Sequence, residues 1–105
     1  MISKDYSIAR ELKERLSKVA SVVDIIVFGS RARGDQDEYS DMDVFIEVAS
    51  LDKELKEKIY DIVWEVGFEN FMVISPLICT RDEIENSPLR SAPIVKNIFE
   101  EGVRV

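Results

Sequence analysis

Short runs of β-branched and aromatic residues alternate along this chain with longer segments of helical periodicity, and that alternation limits the fold more than any other feature. The predicted strands are Ile25 to Phe28, Met42 to Val48 and Phe71 to Thr80. The predicted helices are a first segment capped by Ser3 or Asp5 and ending near Ala20, Leu51 to Val66 capped by Ser50 and stopped by Gly67, and Ile94 to Glu101, with one further turn at Asp82 to Glu85. This order predicts an α/β (α+β) fold in which helices flank a small mixed β-sheet.

The length of 105 residues fits one domain and leaves little apolar area to bury. We therefore predict a single domain over residues 1–105, whose function a second protein completes. Pro76 lacks a ladder donor, so the third strand is expected at a sheet edge or bulged. That strand and the last helix, through Ile94, Ile98 and Phe99, are predicted to contact another chain in a homodimer or a heteromeric complex.

The charge and hydropathy of the chain restrict its surroundings. No apolar run is long enough to cross a bilayer, and the first residues, MISKDYS, lack the order of a signal peptide, so we expect no membrane contact and a cytoplasmic location. Lys and Arg number 14 against 21 Asp and Glu, and the formal charge of -7 opposes binding to a phosphate backbone. A nucleic-acid partner is therefore not expected, whereas a nucleotide that arrives with its metal ions is compatible with an acidic site.

The chain has no histidine and a single cysteine, Cys79. Without imidazole there is no Ser-His or Cys-His nucleophilic pair and no His-ligated zinc or haem. One cysteine also excludes a disulfide framework, and Cys79 is expected to be a small buried core residue. Any catalysis must therefore depend on carboxylates, hydroxyls, Lys, Arg and hard cations.

Gly29 and Ser30 follow directly after the first predicted strand. A glycine there lets the backbone approach a phosphate closely, and the amide groups and the Ser30 hydroxyl would be donors. Arg31 and Arg33 lie on the same loop, are expected to be exposed, and could neutralise phosphate charge. The alternative is an ordinary turn with two solvated arginines.

Asp41 and Asp43 flank Met42 at the start of the second predicted strand. Side chains two residues apart on a strand share one face about 7 Å apart, so both carboxylates point the same way. Like charges held close are best tolerated beside a cation, which suggests Mg²⁺. The alternative is a solvated strand entry with two aspartates of no function.

Together the two features are more specific, because Gly29-Ser30, ten intervening residues and Asp41-x-Asp43 stand in one segment, FGSRARGDQDEYSDMDVFIEV. This segment resembles the signature of minimal nucleotidyltransferases of the DNA polymerase β superfamily. The resemblance implies a palm-like nucleotidyltransferase fold and a metal-dependent transfer of a nucleoside monophosphate, such as AMP from ATP or another triphosphate, to a hydroxyl or amine. It further implies that Gly29 and Ser30 bind the β- and γ-phosphates, that Asp41 and Asp43 hold Mg²⁺ or Mn²⁺, and that Arg31 and Arg33 are auxiliary phosphate contacts.

One part of the family pattern is missing. The family commonly places a third carboxylate on the following strand, but Phe71 to Thr80 contains no Asp or Glu, and Ser75 is the polar residue nearest the expected place. Glu69 precedes that strand, and Glu47, on the same strand as Asp43, is expected to be solvated or salt-bridged. Fold and triphosphate binding are compatible with this gap, whereas turnover is weakened because a second metal loses a ligand.

The resemblance also suggests a partner, because small nucleotidyltransferases are often paired with helical HEPN-domain toxins and modify a tyrosine on them. Two other functions stay open. The first is a weakly catalytic or inactive nucleotide-binding module that acts by occupying a partner's surface. The second is an aminoglycoside-type modifying enzyme, although such enzymes usually carry an added helical domain that this sequence lacks.

Overall fold

Four strands form one mixed sheet in the computed structural model, which describes all residues from 1 to 105. In chain order the elements are α1 Ser3–Ser17, β1 Val22–Phe28, α2 Ser30–Arg33, β2 Met42–Val48, α3 Lys53–Glu69, β3 Ile74–Thr80, α4 Arg81–Asn86, a 3-10 turn Pro88–Ser91, α5 Pro93–Glu101 and β4 Val103–Arg104. The sheet order is β3-β2-β1-β4, with β2 and β3 parallel and the other two pairings antiparallel. The predicted fold class is confirmed. The prediction missed β4, because a two-residue strand carries no periodicity.

The sheet is buried on both faces, by cores of unequal size. Alternate residues of β1 and β2 face a larger core on the side of α1 and α3, and the residues between them face a smaller core beneath α5. Ile25 and Ile26 illustrate this, since they are adjacent in β1 and lie in different cores. The smaller core also contains Cys79, buried as predicted, and Ile98, which is buried and does not belong to the exposed surface predicted for it. None of the helices combines the length and the apolar character that a membrane-spanning helix needs.

The N-terminus of α1 differs from the prediction. Neither Ser3 nor Asp5 caps this helix, because the N-cap position is Ile2 and no side chain accepts a hydrogen bond there. Asp5 lies instead within the first turn and is fully buried. The helix ends at Ser17, short of Ala20.

The ends of α3 also differ. Asp52, and not Ser50, is its N-cap, and its carboxylate accepts a hydrogen bond of 2.7 Å from the amide of Leu55. Gly67 does not stop the helix, which continues to Glu69. A Cβ at Gly67 would come within 2.5 Å of the Met72 carbonyl oxygen, so glycine is required there for close approach of the returning chain.

The turn after α3 places Phe71 in the left-handed region at φ 53°. The amide of Met72 donates to the Gly67 carbonyl at 2.8 Å and the amide of Phe71 donates to the Phe68 carbonyl at 3.3 Å. This is the Schellman pattern, in which the left-handed position is usually occupied by glycine. A phenylalanine there is strained, because its Cβ approaches the following carbonyl.

β3 is an edge strand, as predicted from Pro76. The Val73 carbonyl accepts a hydrogen bond of 2.8 Å from the Met42 amide, and Met42 pairs with Ile74 in the parallel register. The backbone N–H and C=O groups of residues 73, 75 and 77 therefore point toward β2, and the backbone groups of residues 74 and 76 point away from the sheet. The missing N–H of proline thus costs the sheet no hydrogen bond.

Candidate active site

Gly29 brings the end of β1 against a carboxylate of β2. Its backbone has φ 73° and ψ −154°, a conformation open almost only to glycine. A Cβ built on Gly29 would lie 2.6 Å from Oδ2 of Asp43, the residue paired with Phe28 across the two strands. Any side chain at position 29 would therefore displace Asp43. Both the backbone conformation and this close contact require glycine at that position.

Asp41, Asp43 and Ser75 meet at the end of the parallel pair β2 and β3. Ser75 is in register with Asp43, and its Oγ donates a hydrogen bond of 3.4 Å to Oδ2 of Asp41. Asp41 is exposed, and Asp43 and Ser75 are half-buried. The structure therefore places Ser75 beside the two carboxylates, where we expected the family's third acid. No third carboxylate joins them, since the chain has no cluster of three acidic, cysteine or histidine side chains suited to a metal.

The pKa of the Asp43 carboxyl group is raised above its ordinary value. Partial burial raises its pKa, the negative charge of Asp41 raises it further, and the positive charge of Arg33 lowers it. The site thus holds two like charges close together with only partial compensation from the protein. A divalent cation would relieve that repulsion, and carboxylate and hydroxyl oxygens are the donors that Mg²⁺ prefers.

Arg31 does not lie exposed on the loop, contrary to the prediction. It is 5% exposed, and its guanidinium donates two hydrogen bonds to the buried carboxylate of Asp5, at 3.0 and 3.1 Å. Its Nε donates to the Ser40 carbonyl at 3.0 Å. These contacts join α1 to the loop just before Asp41, and they engage the Arg31 guanidinium with partners inside the protein. Neither residue type nor spacing indicates a pair 26 positions apart.

Arg33 is placed differently, because half of its side chain is exposed and its Nε lies 3.3 Å from Asp35. It also lines a cavity of about 150 Å³ between Gly29 and α5. Asn97 of α5 forms part of the opposite wall. Asn97 was not predicted from the sequence, since its position depends on how α5 packs across the sheet, and an exposed asparagine on a helix carries no signal of its own.

Glu47 cannot supply the missing carboxylate. It lies four residues after Asp43 on β2, about 13 Å away along the strand. The expectation of a solvated or salt-bridged side chain is wrong, because Glu47 is 5% exposed and forms no ion pair. Burial raises its pKa, and the negative charge of Asp24 raises it further, while Arg81 opposes the shift.

Known proteins resemble this chain in sequence and in fold. The family model described as a nucleotidyltransferase domain matches residues 7–105. A relative from Methanocaldococcus jannaschii, named "Putative protein adenylyltransferase", is 40% identical over 84 residues, which cover 71% of this chain and 78% of the relative. A solved structure, "Crystal structure of the toxin-antitoxin with AMP-PNP", matches with a TM-score of 0.59 and 19% identity over 90% of this chain and 69% of that chain. At that identity the solved structure indicates a shared fold.

Proposed function

Because this chain belongs to the nucleotidyltransferase domain family, we propose that it catalyses the metal-dependent transfer of a nucleoside monophosphate, AMP from ATP, to a hydroxyl or amine acceptor. Residues 1–105 would act as a single minimal nucleotidyltransferase domain. One observation carries the proposal: the backbone of Gly29 lies against the Asp43 carboxylate, with Asp41 alongside. A phosphate approaching the Gly29-Ser30 turn would therefore lie within reach of both carboxylates.

Asp41 and Asp43 would hold Mg²⁺ or Mn²⁺, and Gly29 and Ser30 would bind the triphosphate. When bound, the metal would neutralise the charge on the phosphate oxygens during in-line displacement. Support for this arrangement comes from the shared face of the two carboxylates and from the raised pKa of Asp43, which is caused first by burial and then by the negative charge of Asp41. Arg33 would be an auxiliary phosphate contact, and Arg31 would hold the loop through Asp5.

In the transfer itself, a bond forms between the acceptor oxygen or nitrogen and the α-phosphorus. The bond from the α-phosphorus to the bridging oxygen breaks, and pyrophosphate leaves while the acceptor loses a proton. A protein acceptor is favoured by the relative whose name gives a protein adenylyltransferase. A helical HEPN-domain protein, in an antitoxin-like pairing, is the partner we propose to test first.

Ser75 favours a second candidate function, that of a weakly catalytic or inactive module that binds nucleotide and acts by occupying a partner. Its hydroxyl is already within hydrogen-bond distance of Asp41 and is a poorer metal ligand than a carboxylate. One ion can be held by two aspartates, triphosphate oxygens and water, whereas a second ion lacks a ligand. Under this alternative, nucleotide binding is retained and turnover is slow.

Calorimetry tests the binding step that both candidates share. ATP with Mg²⁺ or Mn²⁺ should bind and raise the melting temperature more than either component alone. Asp41→Asn with Asp43→Asn should abolish this binding and leave the apo protein as stable or slightly more stable, because a like-charge repulsion is removed. Absence of metal-dependent ATP binding by the natural chain would contradict the proposal, and a large loss of apo stability would assign the two carboxylates a structural role.

Labelled ATP distinguishes the two candidates. The chain is purified together with its partner from the native host and incubated with ATP labelled at the α-phosphate and Mg²⁺. Label transferred to the partner in the natural complex, and absent with Asp43→Asn, supports the enzyme. Tight ATP binding without transfer supports the binding module.

A further inference from the structure

An apolar groove lies between α3 and the start of the edge strand β3, and it borders the larger core through Val63 and Ile74. It measures about 300 Å³, and we call it the aromatic groove; its lining residues include Trp64, Phe68, Phe71 and Val73. These four are 66%, 70%, 98% and 64% exposed, respectively. The rings of Trp64 and Phe68 are stacked, with centroids 5.1 Å apart and planes 11° from parallel. Large apolar side chains gathered in one exposed patch mark a contact surface in a soluble domain.

Phe71 adds a second observation. Its left-handed backbone would be relaxed with glycine, and its ring is almost fully exposed, so the strain is not compensated by any packing within the chain. A strained residue persists where the surrounding structure or a function requires it. Because no contact within the chain requires the Phe71 ring, a contact with another molecule is the function that the ring can serve.

A row of acidic residues runs beside the groove. Glu57, Asp61 and Glu65 follow one another at four-residue spacing on α3, next to the row formed by Tyr60, Trp64 and Phe68. All three acids are exposed, and none forms an ion pair within the chain. No Lys or Arg lines the groove. The apolar row is therefore bordered by three exposed acids that form no ion pair.

We propose that the aromatic groove docks an amphipathic helix of a partner protein, with apolar residues entering the groove and Lys or Arg residues facing the acidic row. A helix that binds in a groove contacts it through apolar residues spaced three and four positions apart along that helix. One end of the groove lies near the candidate active site, because Val73 is two residues before Ser75 on the chain. The Val73 carbonyl also accepts a hydrogen bond from the amide of Met42, the residue between Asp41 and Asp43. A partner docked in the groove would thus have its neighbouring residues close to the two carboxylates. Modification of those residues rests on the proposed function, whereas the docking itself does not.

A second copy of this chain fits the groove less well. It would carry the same acidic row and the same formal charge of -7, so apposed grooves would bring like charges together. A basic helix meets no such repulsion, and complementary charge speeds its association.

Fluorescence of Trp64, the only tryptophan of the chain, reports directly on the groove. An amphipathic Leu/Lys helical peptide should shift the Trp64 emission to shorter wavelength and saturate. The same peptide with Glu in place of Lys should bind at least about tenfold more weakly. Phe68→Ser and Phe71→Gly should each weaken binding at least about fivefold. The second variant suits the backbone it enters, so loss of folding would not explain its effect.

Ile94→Ser is the matched control, because Ile94 is 52% exposed on α5, at the opposite face of the sheet. It should bind the Leu/Lys peptide like the natural chain. Equal affinity for the two peptides, no emission shift, or normal binding by both groove variants would overturn the proposal. Sedimentation that shows a dimer with a shifted Trp64 emission and no peptide would assign the groove to a second copy. Calorimetry with ATP and Mg²⁺ on the groove variants keeps the two proposals separate, because nucleotide binding should be unchanged in them.

Discussion

The segment between β1 and β2 contributes to one pair of charged groups near each of its ends, and the two pairs differ in sign and in burial. At its start, Arg31 and Asp5 are opposite charges, both buried, joined at 3.0 Å and supported by the Ser40 carbonyl. At its end, Asp41 and Asp43 are like charges, accessible to solvent, with one hydrogen bond from Ser75. The buried pair fixes where the loop runs, and the carboxylate pair keeps its oxygens available. The difference indicates that the chain uses one set of charges for architecture and keeps another for ligands.

The largest expected effect comes from breaking the buried pair. Arg31→Ala should lower the free energy of unfolding by about 3–5 kcal/mol, because Asp5 is left as a buried unpaired charge. Chemical denaturation measures this loss. Replacing both partners by Asp5→Leu and Arg31→Met should recover much of it, since an apolar pair of similar volume removes the uncompensated charge. A loss below about 1 kcal/mol in Arg31→Ala would show that water reaches Asp5 in the folded protein.

Adding a charge to the carboxylate pair sharpens the contrast. Ser75→Asp places a third acid in register with Asp43. It should destabilise the apo protein through like-charge repulsion and strengthen Mn²⁺ binding about tenfold, with faster nucleotidyl transfer to an acceptor already identified. Denaturation without metal and calorimetry with Mn²⁺ measure the two effects. Rapid transfer by the natural chain with no gain in Ser75→Asp would mean that a partner residue supplies the missing ligand.

Arg33→Ala tests the exposed arginine of the same loop against its buried neighbour. Because its side chain is half exposed and pairs only with Asp35, stability should change by less than about 0.5 kcal/mol. ATP affinity in Mg²⁺ should fall about threefold, as for the loss of one solvent-exposed phosphate contact. An unchanged affinity would remove Arg33 from the nucleotide site.

The smallest expected effect concerns Glu47, which is buried like Arg31 but unpaired. The pKa of Glu47 is higher in the folded protein than in the unfolded chain. Its favourable contribution to the free energy of unfolding is therefore complete below the unfolded-state pKa and is lost as pH rises through the folded-state pKa. Glu47→Gln should therefore be slightly more stable than the natural chain at pH 7, and the difference should vanish at about pH 4. Denaturation curves at both pH values measure it, with Glu57→Gln, at an exposed position, as control.

Local pattern was enough to predict the parts of the molecule that depend on neighbours in sequence. The alternation from Asp41 to Val48 predicted β2 and the shared face of its carboxylates, and Pro76 predicted an edge strand. The burial of Arg31 and Glu47 was mispredicted, because each depends on residues far away in the chain. Asp5 lies on another helix, and the shell around Glu47 forms only when β1, β2 and β3 pair. Burial of a polar residue is a property of the assembled fold.

The two edges of the sheet have a consequence for how the protein survives at high concentration. An open edge with free N–H and C=O groups invites strands of other molecules and can extend into fibrils. On one side the outward backbone of Pro76 offers no donor, and on the other β4 is only two residues long and carries Arg104. Runaway sheet extension is therefore obstructed at both edges. The exposed apolar side chains beside β3 can therefore bind a partner while the backbone of β3 does not promote aggregation.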